Sequence, residues 1–143
     1  MALYALVKTE QFVNTKDDRQ RGIGNNPFGN YKDSTPTTRQ NHKGALPGDY
    51  DLFKFDMYTS ATLKKRVGSA VFSCYYGFDL IAFCNATYEL NNGTLVGAGM
   101  VDFGTTNFAI AIAGGTGKYD GVKGDVQSAA AERHAQRMVF VLD

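Results

Sequence analysis

The sequence predicts an all-β chain, an antiparallel up-and-down barrel of about eight strands around a central apolar cavity. Apolar residues recur with a period of two through most of the chain after residue 48, which is the signature of strands with one buried face. Gly, Asn and Asp punctuate these runs at short spacing, as hairpin turns require. Composition leans the same way: 13% of the 143 residues are aromatic and 16 are glycine, a mix that favours strands and tight turns. A chain of this length forms one domain able to bury a sizeable core.

Residues 2–13 place Leu3, Ala5, Val7 and Thr9 on one parity and Tyr4, Leu6, Lys8 and Glu10 on the other, a first strand whose faces are both mixed. Residues 14–48 break the pattern. Asp17 to Arg21 is charged, 22–33 is rich in Gly and Asn, and large apolar side chains are few. A structureless stretch this long is unusual inside a small domain; it reads as a surface insert or as a lid over a cavity mouth. Residues 50–58 then alternate Phe53, Phe55 and Met57 with Lys54, Asp56 and Tyr58. Segments 67–76 and 80–90 flank Gly77-Phe78-Asp79, a hairpin signal, and Asn91-Asn92-Gly93 supplies the next turn with the favoured Asn-Gly pair. Strands 94–103 and 106–113 follow, the former bent at Gly97 and Gly99.

Five glycines then fall within the eleven residues 114–124. The phosphate-loop spacing G-x-x-x-x-G-K-[ST] is absent, so the cluster reads as a tight corner between strands. Residues 122–131 and 138–142 complete the set. By propensity alone 128–137, with Ala-Ala-Ala-Glu-Arg, is helical; the barrel pattern overrides that and predicts strand and turn.

Net charge is +1, so no bulk field draws in nucleic acid or anionic lipid, and neither is an expected partner. No apolar stretch reaches 18 residues and no signal peptide is visible. The expectation is a soluble chain, cytoplasmic or in an organelle lumen after loss of a targeting segment. Cys74 and Cys84 allow one disulfide across the hairpin, but without an export signal free thiols are favoured. The cysteines lack metal-ligand spacing, and His42 and His134 stand far apart in sequence, so neither metal nor cofactor is expected. The sequons at Asn85 and Asn92 matter only in a secreted chain.

Gly48-Asp49, Phe53, Tyr58 and the run Leu63-Lys64-Lys65-Arg66-Val67-Gly68 resemble a signature segment of plant allene oxide cyclases. Cys74 stands where that family carries a cysteine, Phe83 and Ala86-Thr87-Tyr88 resemble its F-x-A-T-Y strand, and Ile112 with Gly114, Gly115, Gly117 and Gly121 resembles a glycine corner shared with dirigent proteins. The resemblance covers about two thirds of the chain, from Gly48 to Leu142. It implies a barrel with an apolar cavity, a homo-oligomer (trimer or dimer), and cofactor-free cyclisation in which the pocket folds a flexible lipophile into its reactive conformer. The family's polar residues on its first two strands are only partly matched. Glu10 and Asn14 are available on the first strand, Phe55 or, shifted by one, Asp56 on the second, and Val101 replaces a tyrosine. A more apolar pocket and a different substrate follow.

The expected function is therefore a cofactor-independent cyclase or isomerase acting on a lipophilic polyunsaturated or polyketide-like substrate. The alternative is a non-catalytic or dirigent-like barrel that binds a hydrophobic ligand. Glu10 and Asp56 are the candidate acids, Tyr58 a candidate hydroxyl that polarises the reacting group, and Cys74 a pocket or thiolate candidate. Phe53, Phe55, Met57, Phe72, Tyr76, Met100, Val101 and Phe103 are the candidate substrate-lining residues, each equally open to plain core packing.

Overall fold

The computed structural model describes residues 1–14 and 44–143. Eight antiparallel strands close into a barrel in chain order, each paired with its sequence neighbours, and the last returns to the first. They are β1 (Ala2–Val13), β2 (Tyr50–Tyr58), β3 (Arg66–Tyr76), β4 (Ile81–Leu90), β5 (Gly93–Asp102), β6 (Phe108–Gly115), β7 (Gly124–Ala130) and β8 (Gln136–Leu142). Two single 3-10 turns, Gly117–Tyr119 and Glu132–His134, are the remaining helical elements among the described residues. The run at 128–137 is thus strand, turn and strand. Ladder pairing to β6 and β8 outweighs the modest helix preference of its alanines. The expected lid over 14–48 falls outside the described residues except for Asn14 and 44–48.

The period-two pattern decides which side chains turn inward. On β3, Ala70, Phe72, Cys74 and Tyr76 are buried while Val71 and Tyr75 are exposed; on β4, Ala82, Cys84, Ala86 and Tyr88 are buried. Aromatic rings fill much of this interior. Phe72 sits at their centre, 5.2 Å from Phe55, 5.7 Å from Tyr88 and 6.1 Å from Phe108 between ring centroids. Truncating such a residue to alanine typically costs about 3–5 kcal/mol, because both the transfer energy and a cavity are involved.

One irregularity matters for function. The β1–β2 register shifts between Val7 and Thr9, so a bulge at Lys8 reverses the parity of β1. Before the bulge Leu3 and Ala5 are buried. After it, Glu10 pairs with Phe53 and Phe12 with Asp51, both inward-pointing positions of β2. Pairing with β8 ends at Ala5, so the upper half of β1 stands beyond β8 and forms one lip of the barrel.

Candidate active site at the barrel mouth

The site is assembled from the ends of β1, β2, β3 and β5. Segment 44–49 leads into β2 and is pinned by backbone bonds: Gly48 N–H donates to Tyr76 O at 2.8 Å and Tyr76 N–H to Asp49 O at 2.9 Å. The Leu46 N–H also donates to Asp49 Oδ2 at 2.8 Å, so a buried side chain fixes this turn. These bonds hold the first inward residue of β2, Asp51, against the last inward residue of β3, Tyr76.

Asp51 is 3% exposed. Its Oδ2 accepts a long hydrogen bond from the Tyr76 hydroxyl at 3.4 Å, and its Oδ1 has no hydrogen-bond partner among the described residues. Burial pushes its pKa from 3.8 up to about 7, and the Glu10 carboxyl facing it adds to the rise, while the Tyr76 hydroxyl opposes it. A hydrogen bond between two carboxyls exists only with a proton between them, which is why Oδ1 is orphaned when both are ionised. Asp51 therefore carries its proton below neutral pH and titrates near it. The same burial, with the Asp51 charge, pushes the Tyr76 hydroxyl up to about 12 and keeps it a donor.

Aromatic rings frame this polar group. Phe12 lies edge-on to Tyr76 at 6.1 Å, Phe103 is 5.2 Å from Tyr76, and Phe53 stacks on Phe103 at 6.0 Å. Directly across the ladder from Asp51 is Cys74, joined by a disulfide to its own ladder partner Cys84. The mouth thus presents a proton-bearing carboxyl, a phenol and an acidic neighbour within apolar walls. That arrangement can donate a hydrogen bond or a proton to a lipophilic molecule.

The expected residues divide sharply. Glu10, Phe53, Tyr76 and Phe103 come together at the mouth. Phe55, Met57, Phe72 and Val101 point inward at greater depth, each less than a tenth exposed. Asp56, expected as an acid, turns outward and pairs with Arg66 at 2.9 Å, because the register of β2 puts even residues outside. Tyr58 shares that outward parity opposite Tyr4. Met100, expected in the lining, is 59% exposed on the outer face of β5. Cys74 is not a free thiol: position-for-position pairing of β3 with β4 brings it to Cys84 and the disulfide removes any thiolate role.

Sequence reasoning missed Asp51, although a signal was present, since Asp51 shares the parity of Phe53, Phe55 and Met57. Phe12 and the inward turn of Glu10 carry no such signal, because a one-residue bulge decides them. Among the described residues no group of three or more His, Cys, Asp or Glu could hold a metal ion. No helix there is long and apolar enough to cross a membrane. A groove of about 430 Å³ lies on the outer wall, lined by Asn107, Ala109, Gln127, Arg137 and Val139 among others. It holds no acid and is lined by none of the residues that surround Asp51.

No family model and no curated protein matches the chain. Solved structures do. A pyocyanin demethylase is similar over 100% of this chain and 98% of its own, with a TM-score of 0.70 and 21% identity. AbnU, an exo-specific intermolecular Diels-Alderase, is similar over the same shares with a TM-score of 0.65 and 11% identity. The Diels-Alderase AbmU from Streptomyces koyangensis aligns with 99% of this chain and 60% of its own at a TM-score of 0.61 and 14% identity. At these identities the likeness is one of barrel fold, and the likeness to allene oxide cyclases rests on the sequence motifs.

Proposed function

We propose that the chain is a cofactor-independent cyclase or isomerase that folds a lipophilic, polyunsaturated or polyketide-like substrate in the barrel. The observation that carries this reading is Asp51, a buried carboxyl that holds its proton near neutral pH among aromatic rings. With the Tyr76 hydroxyl directed at Oδ2, the proton sits on Oδ1, shared with the Glu10 carboxylate until a substrate acceptor takes its place. A substrate carbonyl placed there accepts that hydrogen bond, becomes more electrophilic, and closes a ring more readily. Phe12, Phe53 and Phe103 restrict a flexible chain to folded conformers, which accelerates an intramolecular or pericyclic step by positioning. Glu10 keeps the proton on Asp51 through its facing charge. AbnU and AbmU, both Diels-Alderases on a similar barrel, support this chemistry.

The apolar inward set Phe55, Met57 and Phe72 also suits the second reading, a barrel that retains a hydrophobic ligand without bond chemistry. The homo-oligomer implied by the sequence resemblance stays part of the proposal and is tested by light scattering. The deciding experiment incubates wild type and Asp51→Asn with linear polyenones and separates isomers of unchanged mass by chromatography. Wild type is expected to yield cyclised isomers, and Asp51→Asn to lose about 100-fold or more in turnover, the usual worth of a positioned acid. Tight retention of the polyenones by wild type with no conversion would establish the ligand-binding reading instead.

A further inference from the structure

Two carboxyls meet at the mouth in unlike surroundings. Asp51 is buried on β2, whereas Glu10 is exposed on β1. The ladder beyond the Lys8 bulge fixes their positions, pairing Glu10 with Phe53 and Phe12 with Asp51. Glu10 and Asp51 are therefore diagonal neighbours on one face, about 7–8 Å apart at the backbone and within reach of each other's side chains. The Tyr76 hydroxyl occupies Oδ2 of Asp51, which leaves Oδ1 to share its proton with Glu10.

Neither acid has a cation to neutralise it. The ion pairs among the described residues are Arg66 with Asp56 and Arg133 with Glu132. Asp49, the other acid near Tyr76, accepts the Leu46 N–H and serves the turn. Holding one acid beside another without a cation is unfavourable, and pairs in unlike environments are how a site separates an acid from a base. The outer member can also move. Past Ala5, β1 has no β8 partner, so the exposed Glu10 side chain can turn aside and uncover Oδ1 while the packed rings below stay in place.

We infer that Asp51 and Glu10 form a proton-transfer pair, which gives the mouth a second activity: moving the double bond of a neutral, compact β,γ-unsaturated ketone into conjugation. The inference rests on the mouth reading above and adds a base, a reaction and a substrate class. Asp51 gives its proton to the ketone oxygen while the Glu10 carboxylate takes a proton from the α-carbon, which leaves a dienol. The Glu10 carboxyl then delivers a proton to the γ-carbon and the dienol O–H proton returns to Asp51, which leaves the α,β-unsaturated ketone. Both carboxyls end as they began, and the product is an isomer of the substrate, so no co-reactant enters. Cyclisation needs only the Asp51 hydrogen bond; this shift needs Glu10 as well. The ketone is compact because Phe55, Phe72 and Tyr88 fill the interior below the mouth, and neutral because Glu10 repels an anion.

The test follows the conjugated-enone absorbance after cyclohex-3-enone is added to wild type, Glu10→Gln and Asp51→Asn. Wild type is expected to convert the ketone, and each variant to lose about 100-fold or more in rate, as removal of a positioned acid or base does. Conversion that survives in Glu10→Gln overturns the pair, and so does a wild type that leaves the ketone unchanged. A wild type that cyclises polyenones yet ignores cyclohex-3-enone loses only the proton-transfer pair; one that does neither loses the mouth reading too. Should Glu10→Gln fail to fold, wild type decides with the ketone deuterated at its α-carbon. A slower reaction than with the ordinary ketone is expected, and equal rates overturn proton removal by the pair.

Discussion

At the glycine corner the polar groups are used up locally. Thr116 N–H donates to Thr94 O at 2.9 Å, the two threonine hydroxyls meet at 2.6 Å, and Lys118 N–H donates to Asn92 O at 2.8 Å. Gly117 and Gly121 take positive φ values of 62° and 77° so that the chain can reverse. At the mouth, Asp51 keeps an oxygen without a partner, its proton is held by burial, and the rings around it are half open to solvent. The two regions have the same strand framework and opposite polar economies. A region that satisfies its own hydrogen bonds closes the fold; one that leaves a buried group unsatisfied is where the proposed site lies. The corner looked chemically suggestive in sequence and is architectural, whereas the proposed acid sits in an inconspicuous Tyr50-Asp51-Leu52 run.

Substitutions can break this contrast. The largest expected effect is that of Asp51→Asn, which should abolish most turnover, about 100-fold or more, while the protein stays folded. Its stability effect has a definite sign. The folded pKa of about 7 lies above the ordinary 3.8, so the contribution of this group is most favourable below about pH 4 and declines as pH rises to about 7. Asp51→Asn should therefore melt higher than wild type at pH 8 and lose that advantage at pH 4, as calorimetry across pH would show.

At the corner the balance should reverse. A Cβ on Gly115 would collide with the Thr94 carbonyl and with Tyr119. Gly115→Ala is expected to lose about 3 kcal/mol in denaturant titration, as overpacking against backbone does, yet keep wild-type turnover per folded molecule. A specific loss of turnover there would erase the distinction between the two regions.

Reduction of Cys74–Cys84 should cost about 2–3 kcal/mol, since the bridge closes a short loop of the unfolded chain. Because Cys74 is the ladder partner of Asp51, the reduced protein should also lose some turnover, a readout that Gly115→Ala lacks. The smallest effect is expected of Glu10→Gln. Asp51 as the acid predicts activity that falls above about pH 7, and removing the Glu10 charge that helps hold its proton should move that fall to lower pH. An unchanged pH profile in Glu10→Gln would place Glu10 outside the site.

Much of the fold was legible in the sequence. The Asn92-Gly93 pair, the Gly77–Asp79 turn and the alternation through β2, β3 and β4 fix local geometry through backbone preference and short-range burial, and all reappear within a few residues of their expected bounds. The site was less legible. Tyr76, Phe53 and Phe103 follow from parity, and Asp51 could have been found the same way. Asp56 entered as the one-residue-shifted alternative to Phe55, and such a slip exchanges the faces of a whole strand.

The sequence by itself determined an antiparallel barrel of about eight strands, its strand order and the inward turn of Phe53, Phe55, Met57, Phe72 and Tyr76, because period-two patterning and turn residues act over a few neighbours. Tertiary structure alone decided three things. The bulge at Lys8 turned Glu10 and Phe12 inward, the β3–β4 register joined Cys74 to Cys84, and barrel closure buried Asp51 beside Tyr76. Each depends on pairing between strands, which sets distances and local dielectric, and a proton is held near neutral pH only where those are set.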